Sequence, residues 1–400
     1  MQKYLEISTV FPTDFSRAML VGRVWIEGIG AVLVQVRDEG VYDLSGIAAT
    51  CSALLELPDP AASVRNNTAG QLPLASTASV LANSAHDKRN KDVPWFIAPC
   101  DLQSVKAAGV TFVASMLERV IEEQARGDAS KAVALRRDVV ALIGDDLSHV
   151  QPGSPLAEKL KSTLIAQGAW SQYLEVGIGP DAEIFTKAQP MSAVGLGAEV
   201  GIHPRSAWNN PEPEIVLAVN SFGQVKGVAL GNDVNLRDFE GRSALLLGKA
   251  KDNNASCAVG PFIRLFDEDF CLEDVREIDI SMEITGTGTL ESAEAPFSLQ
   301  AVSSMRYISR DPIELVRQTI GDNHQYPDGF MLFLGTMFAP IQDRLVLGEG
   351  FTHRAGDVVR ISAPQIGSLV NQVNHSDKIT PWTYGARALM QDLARRGALA

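Results

Sequence analysis

The sequence predicts an α+β fold, with a small β-rich unit over 1–95 and a larger, mixed β-roll domain over 96–400. Three observations predict it. Strong helical periodicity is concentrated in 113–168. Beyond about residue 170 short apolar runs alternate with Gly, Asn, Asp and Pro turns, as in EIVLAVN, VKGVALG, IDISMEITG and GDVVRISAP. Helices set apart from a largely antiparallel, much-connected β region give a mixed roll or barrel-like core.

The elements follow in order. Val21 to Val36 alternates like a hairpin around Glu27-Gly28. The stretch 60–95 is rich in Ala, Ser and Asn and ends in the polar run His86 to Asp92, a linker or exposed loop. Residues 113–147 read as two helices broken near Gly127-Asp128, with Asp128 placed to cap the second. Ser154 starts a further helix running to Gly168, with Pro155 suited to its first turn. Phe330 to Ile341, interrupted by Gly335 and Thr336, reads as core.

Composition narrows the function classes. The 400 residues are 46% hydrophobic and 21% charged, as in an ordinary globular protein with room for a sizeable core. The net charge of -13 argues against a nucleic-acid partner, because phosphate backbones need clustered Lys and Arg. No apolar run reaches the ~18 residues of a membrane span, and the N-terminus lacks a signal-peptide pattern. Cys51, Cys100, Cys257 and Cys271 form no CxxC pair and read as reduced thiols of a cytoplasmic protein. Neither a GxGxxG between strand and helix nor a GxxxxGK[ST] is present, so nucleotide cofactors find no support.

The chemistry sits in Trp208 to Asp238. Glu212 and Glu214 are two apart, so on a strand they share one face while Ile215, Leu217 and Val219 take the other. Gly223-Gln224 suggests a two-residue type II′ hairpin. In that register Asn220 faces Gly227 and Glu214 faces Asp233, with opposed Cβ atoms about 5 Å apart. Three carboxylates so placed repel unless a cation lies between them. All-oxygen ligation suits Mg²⁺, Mn²⁺ or Ca²⁺ better than Zn²⁺. The alternative is a set of solvated charges on an exposed sheet face.

These residues resemble the fumarylacetoacetate hydrolase superfamily. The ordered motifs are EIFTK (Glu183 to Lys187), EPEIVLAV, GNDVNLRD, AKDNNASCAVGP (Ala250 to Pro261, a Lys before a Gly-Pro turn), FLGT (Phe333 to Thr336) and the closing GDVVRIS and IGSLVNQV. The resemblance implies a mixed β-roll, a homodimer or homotetramer, and Mg²⁺ or a similar ion on Glu212, Glu214 and Asp233. It further implies substrate contacts from Arg237, Lys187 and Thr336, and Lys251 beside the bound substrate. Glu240 stands where the family often has Gln.

One departure is informative. Hydrolytic members carry Asn-Tyr-x-x-His-x-x-Glu on a lid helix; Thr111 to Glu118 here keeps the Glu as Glu118 but has Ser115 for the His. Residues three apart share a helical face, so Ser115 and Glu118 can still address one spot. The base that activates water for C–C hydrolysis is missing. In this, and in WNNPEPE, GNDVNLRDFEGRSALLL, KAKDNNASCAVGPF, HQYPDGF and LGTMFAPIQDR, the chain is similar to the superfamily's 2-keto-3-deoxy-pentonate dehydratases. The expectation is a hydro-lyase that converts a 2-oxo sugar acid to 2-oxoglutarate semialdehyde in pentose breakdown. Glu118 is expected to move the proton, with Ser115 orienting it and Lys251 supporting the developing charge. The rivals are an acylpyruvate-type hydrolase or decarboxylase on the same scaffold, and a non-enzymatic metal- or ligand-binding protein.

Overall fold

A computed structural model describes residues 1–398 except 68–69, 133, 138–149, 167 and 339. Its strands are β1 (Leu20–Ile26), β2 (Gly30–Val36), β3 (Val41–Asp43), β4 (Trp95–Ile97), β5 (Ser104–Ala108), β6 (Ile184–Ala188), β7 (Glu199–Ile202), β8 (Asn209–Asn210), β9 (Pro213–Val219), β10 (Val225–Asp233), β11 (Asn235–Leu236), β12 (Cys257–Leu265), β13 (Asp279–Thr287), β14 (Pro296–Ser304), β15 (Phe330–Phe333), β16 (Val358–Ala363) and β17 (Gly367–His375).

The architecture is mixed α/β. A ten-stranded sheet runs β3-β2-β1-β12-β10-β9-β15-β5-β6, with β4 paired to β1. A five-stranded sheet runs β14-β13-β16-β17-β7, and β11 pairs β8. Both large sheets are mixed, since β15 is parallel to β5 and β17 to β7 while their other pairings are antiparallel. β1 is antiparallel to β12, so the β-rich stretch before residue 95 continues the sheet of the later chain.

Both faces of the large sheet are covered, which explains the near-continuous apolar character of its central strands. Ile215, Leu217 and Val219 pack with Val228 and Leu230 against Ile280, Met282, Val359 and Ile361 of the second sheet. Val216, Ala218 and Ala229 pack on the other side with Leu54, Leu55 and Val64. Alternation along β9 therefore divides its side chains as its sequence implies.

The hairpin register differs from expectation. The loop spans Asn220–Gln224, closed by the Asn220 N–H on the Gln224 carbonyl at 3.0 Å, and the pairing shifts between Val225 and Gly227. Glu214 faces Gly231, not Asp233, and the Asp233 N–H donates to the Glu212 carbonyl at 2.9 Å. The Asn220 side chain causes the longer loop: its Oδ1 accepts from the N–H groups of Phe222 and Gln224. The net slip is two residues. A strand repeats every two residues, so Asp233 keeps the face of Glu212 and Glu214. The Gly260-Pro261 pair, expected in a turn, lies inside β12 as a cis peptide.

The helix Val113–Ala125 ends at Arg126, in the left-handed region, followed by Gly127. Asp128 caps the next turn by accepting from the Ser130 N–H at 3.2 Å. Most of the second helix expected before residue 147 lies outside the described residues. The helix begun at Ser154 is observed over Pro155–Ala166. Among the described residues no helix is long and apolar enough to cross a membrane.

Candidate metal centre and active site

Glu212, Glu214 and Asp233 are buried at the ends of β9 and β10, each with a carboxylate oxygen within 4.8 Å of the others. Burial, reinforced by the charges of Asp233 and Glu212, raises the Glu214 carboxyl well above its usual range. Its Oε2 accepts one backbone N–H, from Gly335 at 2.7 Å. Gly335 has φ +95°, and a Cβ there would stand 2.1 Å from Thr111 Oγ1. Only glycine lets this turn approach so closely. Thr111 Oγ1 donates to the Leu334 carbonyl at 2.6 Å and pins the turn.

Cations surround the triad. Lys251 Nζ lies 2.6 Å from Glu212 Oε2 and 3.0 Å from Asp233 Oδ2. Burial opposes its charge, but Asp233 and Glu212 outweigh burial and hold the ammonium protonated. Lys187 Nζ sits 3.0 Å from Asp233 Oδ1 and also donates to the Lys251 carbonyl. Asp233 is held below its ordinary value: burial pushes it up, and Lys187 and Lys251 together win.

A small cavity of about 20 Å³ opens onto these groups, walled by Gly109, Ser115, Arg119, Glu183, Phe185, Glu240 and Thr336. That is room for roughly one water. The structure brings Glu212, Glu214, Asp233, Lys251, Ser115 and Thr336 to this cavity, but not Glu118, Arg237 or Lys187. Ser115 Oγ donates to the Phe112 carbonyl at 2.9 Å, and Thr336 Oγ1 to the Phe338 carbonyl at 2.8 Å. Glu118 is held by a two-point bond from Arg136 at 2.7 and 2.8 Å. Burial raises its pKa, but Arg136 and Arg237 outweigh burial and leave it lowered. Arg237 Nε donates to Asn210 Oδ1 at 2.9 Å and pairs with Glu122 at 3.1 Å. Its ion-pair partners among the described residues are thus Glu122 and, at 3.9 Å, Glu118.

Two wall residues, Arg119 and Glu183, were not singled out from the sequence, and Glu240 was noted there only for standing where the family often has Gln. Arg119 bridges Glu212, Glu240 and Glu122 at 2.6, 2.6 and 2.8 Å. Glu183 has its pKa pushed up to about 7, first by burial and then by the charge of Glu240. Glu240 joins the wall as a partner of Arg119. Two periodicities carried the signal. Extending the Ser115 face of the helix by one turn reaches Arg119, and by two turns Glu122. Counting back by twos from Lys187 along β6 reaches Phe185 and Glu183. Space for Glu183 depends on Gly109, where a Cβ would stand 1.8 Å from Glu183 Oε2.

The donor set fits a hard divalent ion. Counted with every group ionised, six buried or cavity-facing acids (Glu122, Glu183, Glu212, Glu214, Asp233, Glu240) meet four cations (Arg119, Lys187, Arg237, Lys251), a formal excess of two negative charges, and the repulsion from Asp233 and Glu212 that raises Glu214 is what a further cation would relieve. Oxygen-only ligands favour Mg²⁺, Mn²⁺ or Ca²⁺.

No family model matches the chain. Two curated proteins do. A 2-dehydro-3-deoxy-D-arabinonate dehydratase of Saccharolobus solfataricus is 32% identical over 198 residues, 50% of this chain and 60% of the relative. A probable 2-keto-3-deoxyxylonate dehydratase of Haloferax volcanii is 31% identical over 201 residues, 50% of this chain and 63% of the relative. The matches thus span about three-fifths of these relatives' length. The fold is shared with solved 2-keto-3-deoxy-D-arabinonate dehydratase, at TM-score 0.57 and 20% identity over 89% of this chain and 99% of the other. A structure of that enzyme with magnesium and 2,5-dioxopentanoate superposes at TM-score 0.54 and 20% identity, over 89% and 99% of the two chains. A 5-carboxymethyl-2-hydroxymuconate delta-isomerase of Mycobacterium smegmatis matches at 0.51 and 16%, again over 89% and 99%.

Proposed function

We propose that this chain is a metal-dependent hydro-lyase of the fumarylacetoacetate hydrolase superfamily, with the β-roll of that family and a β-rich extension at 1–95. Its substrate is a 2-keto-3-deoxy-pentonate and its product 2-oxoglutarate semialdehyde, which is 2,5-dioxopentanoate. The observation that carries the reading is the buried Glu212–Glu214–Asp233 triad with Lys251 on two of its members. The two curated dehydratases, each aligned over half of the chain, support the substrate class.

Glu212, Glu214 and Asp233 would hold Mg²⁺ or a similar ion, which supplies Lewis acidity towards a 2-oxo carboxylate. Lys251, held protonated, supports negative charge growing on the 2-oxo oxygen. A base takes a proton from C3 and the C4 hydroxyl leaves, protonated, as water; a C5 proton is then removed and a proton is returned to C3, so that the C3–C4 double bond moves to C4–C5. The resulting enol becomes the C5 aldehyde. For the proton work we favour Glu183 over Glu118. Glu183 faces the cavity with a pKa near 7, matched to taking and returning protons at neutral pH, whereas Arg136 holds Glu118 ionised and off the cavity. Glu118 then acts through Arg136 and Arg237 as a positioning residue. Ser115 and Thr336 offer hydroxyls to the substrate, and Lys187 and Arg237 hold Asp233 and Glu122 in place. Entry of a five-carbon acid requires the wall carrying Ser115 and Arg119 to withdraw. The working form is a cytoplasmic homodimer or homotetramer.

The test is incubation of purified protein and Mg²⁺ with 2-keto-3-deoxy-D-xylonate, following 2-oxoglutarate semialdehyde by NMR. Release of CO₂ or of two carbon fragments instead would replace this reading with the decarboxylase or hydrolase one.

A further inference from the structure

A second cavity, of about 210 Å³, lies away from the carboxylate centre and shares no lining residue with it. Four stretches of chain converge on it: β1, the segment from Arg89 through β4 to Ala98, the segment 191–198, and Trp382 with Tyr384. Its walls are aromatic and apolar. Trp25 meets the edge of Tyr384 at 4.8 Å between ring centroids, and Phe96, Met191 and Trp382 complete the surface.

Two guanidinium groups also line it. Arg23 is only 4% exposed. Its Nη1 donates to the carbonyls of Ala98 and Cys100, and its Nε lies 3.5 Å from Asp101 Oδ2. Its Nη2 has no hydrogen-bond partner among the described residues. Asp101 offsets only part of this charge, because its oxygens also accept the N–H groups of Cys51, Ser52 and Leu102. Arg89 is exposed at the rim, lies over Trp95 at 5.3 Å and feels the charge of Glu199 without an ion pair to it. A buried guanidinium nitrogen without an acceptor costs free energy unless something supplies one.

We propose that this cavity is a second ligand site, for a planar monoanion of single-ring size such as an aromatic carboxylate. The rings of Trp25, Trp382 and Tyr384 form the aromatic wall against which the flat body lies, and the carboxylate meets Arg23 and Arg89. The volume is below the roughly 300–1,000 Å³ of sites for larger ligands, which limits the occupant to about one ring. Guanidinium beside aromatic faces suits a planar carboxylate better than a hydrated inorganic anion.

Benzoate titrated into the full-length protein tests this, read by quenching of tryptophan fluorescence. The expected result is saturable quenching, weakened at least about tenfold in Arg89→Gln and in Trp382→Ala, and absent with benzamide or acetate. Glu214→Gln leaves benzoate affinity unchanged, which separates this cavity from the carboxylate centre. Quenching that never saturates, that benzamide reproduces, or that both cavity variants leave intact overturns the proposal. So does sedimentation showing that Trp382→Ala dissociates an assembly, because the cavity is then a subunit contact.

Discussion

Arg119 and Glu212 are joined at 2.6 Å across the cavity, so the helix Val113–Ala125 is tied by an ion pair to a member of the carboxylate triad. The same guanidinium holds Glu122 and Glu240, and all four groups are buried. The helix is therefore fixed to the site by charge as well as by apolar packing of Met116, Val120 and Ile121.

Arg119→Met should destabilise the protein by about 3–5 kcal/mol, because three carboxylates lose a buried partner. Urea denaturation measures this. Arg119→Met combined with Glu240→Gln should recover part of the loss. Strict additivity of the two changes would show that the pair is not coupled.

If the triad holds a divalent metal as proposed, the metal should raise the thermal midpoint, since it would bind the folded triad and not the unfolded chain. In Glu214→Gln the metal-induced rise should vanish, while the metal-free protein becomes more stable. The sign follows from the raised Glu214 pKa: the charged form is unfavourable there, and the amide removes that charge. Calorimetry with Mn²⁺ and with chelator separates the two effects.

The pH profile should identify the proton-transfer group. With Glu183 near pH 7, kcat/KM should rise through about that pH as the carboxyl deprotonates. Glu183→Gln should remove this limb and lower kcat by about 10²–10⁴. Glu118→Gln should keep the limb and cost less in kcat. Stability runs the other way. A carboxyl raised from 4.5 to about 7 contributes stability below pH 4.5 that is lost as pH rises towards 7. Glu183→Gln should therefore be stabilised relative to the parent at pH 8.

His353 is buried between Asp357 and the Phe351 ring. Burial lowers its pKa more than the Asp357 hydrogen bond raises it, so the folded chain favours the neutral ring. Its contribution is present above pH 6.5, the unfolded value, and is lost as pH falls through the lower folded value. Denaturation midpoints between pH 7 and 5 should fall less steeply in His353→Gln than in the parent. An identical slope would remove His353 as the titrating group.

The sequence by itself determined which residues share a face. The two-residue period put Glu212 and Glu214 opposite Ile215, Leu217 and Val219, and the ordered motifs brought in Asp233, Lys251, Ser115 and Thr336. That reading of the triad survived a wrong hairpin register, because a slip of two residues preserves the face. Tertiary structure decided what no local pattern encodes. The Asn220 side chain reset the loop through bonds to its own turn. Arg136 took Glu118 from the cavity, and Gly109 made room for Glu183, through contacts between segments far apart in the chain. Charge balance and pKa are properties of the assembled site: they depend on distance and burial, and these exist only once helix, β6 and the β9–β10 hairpin close around one point.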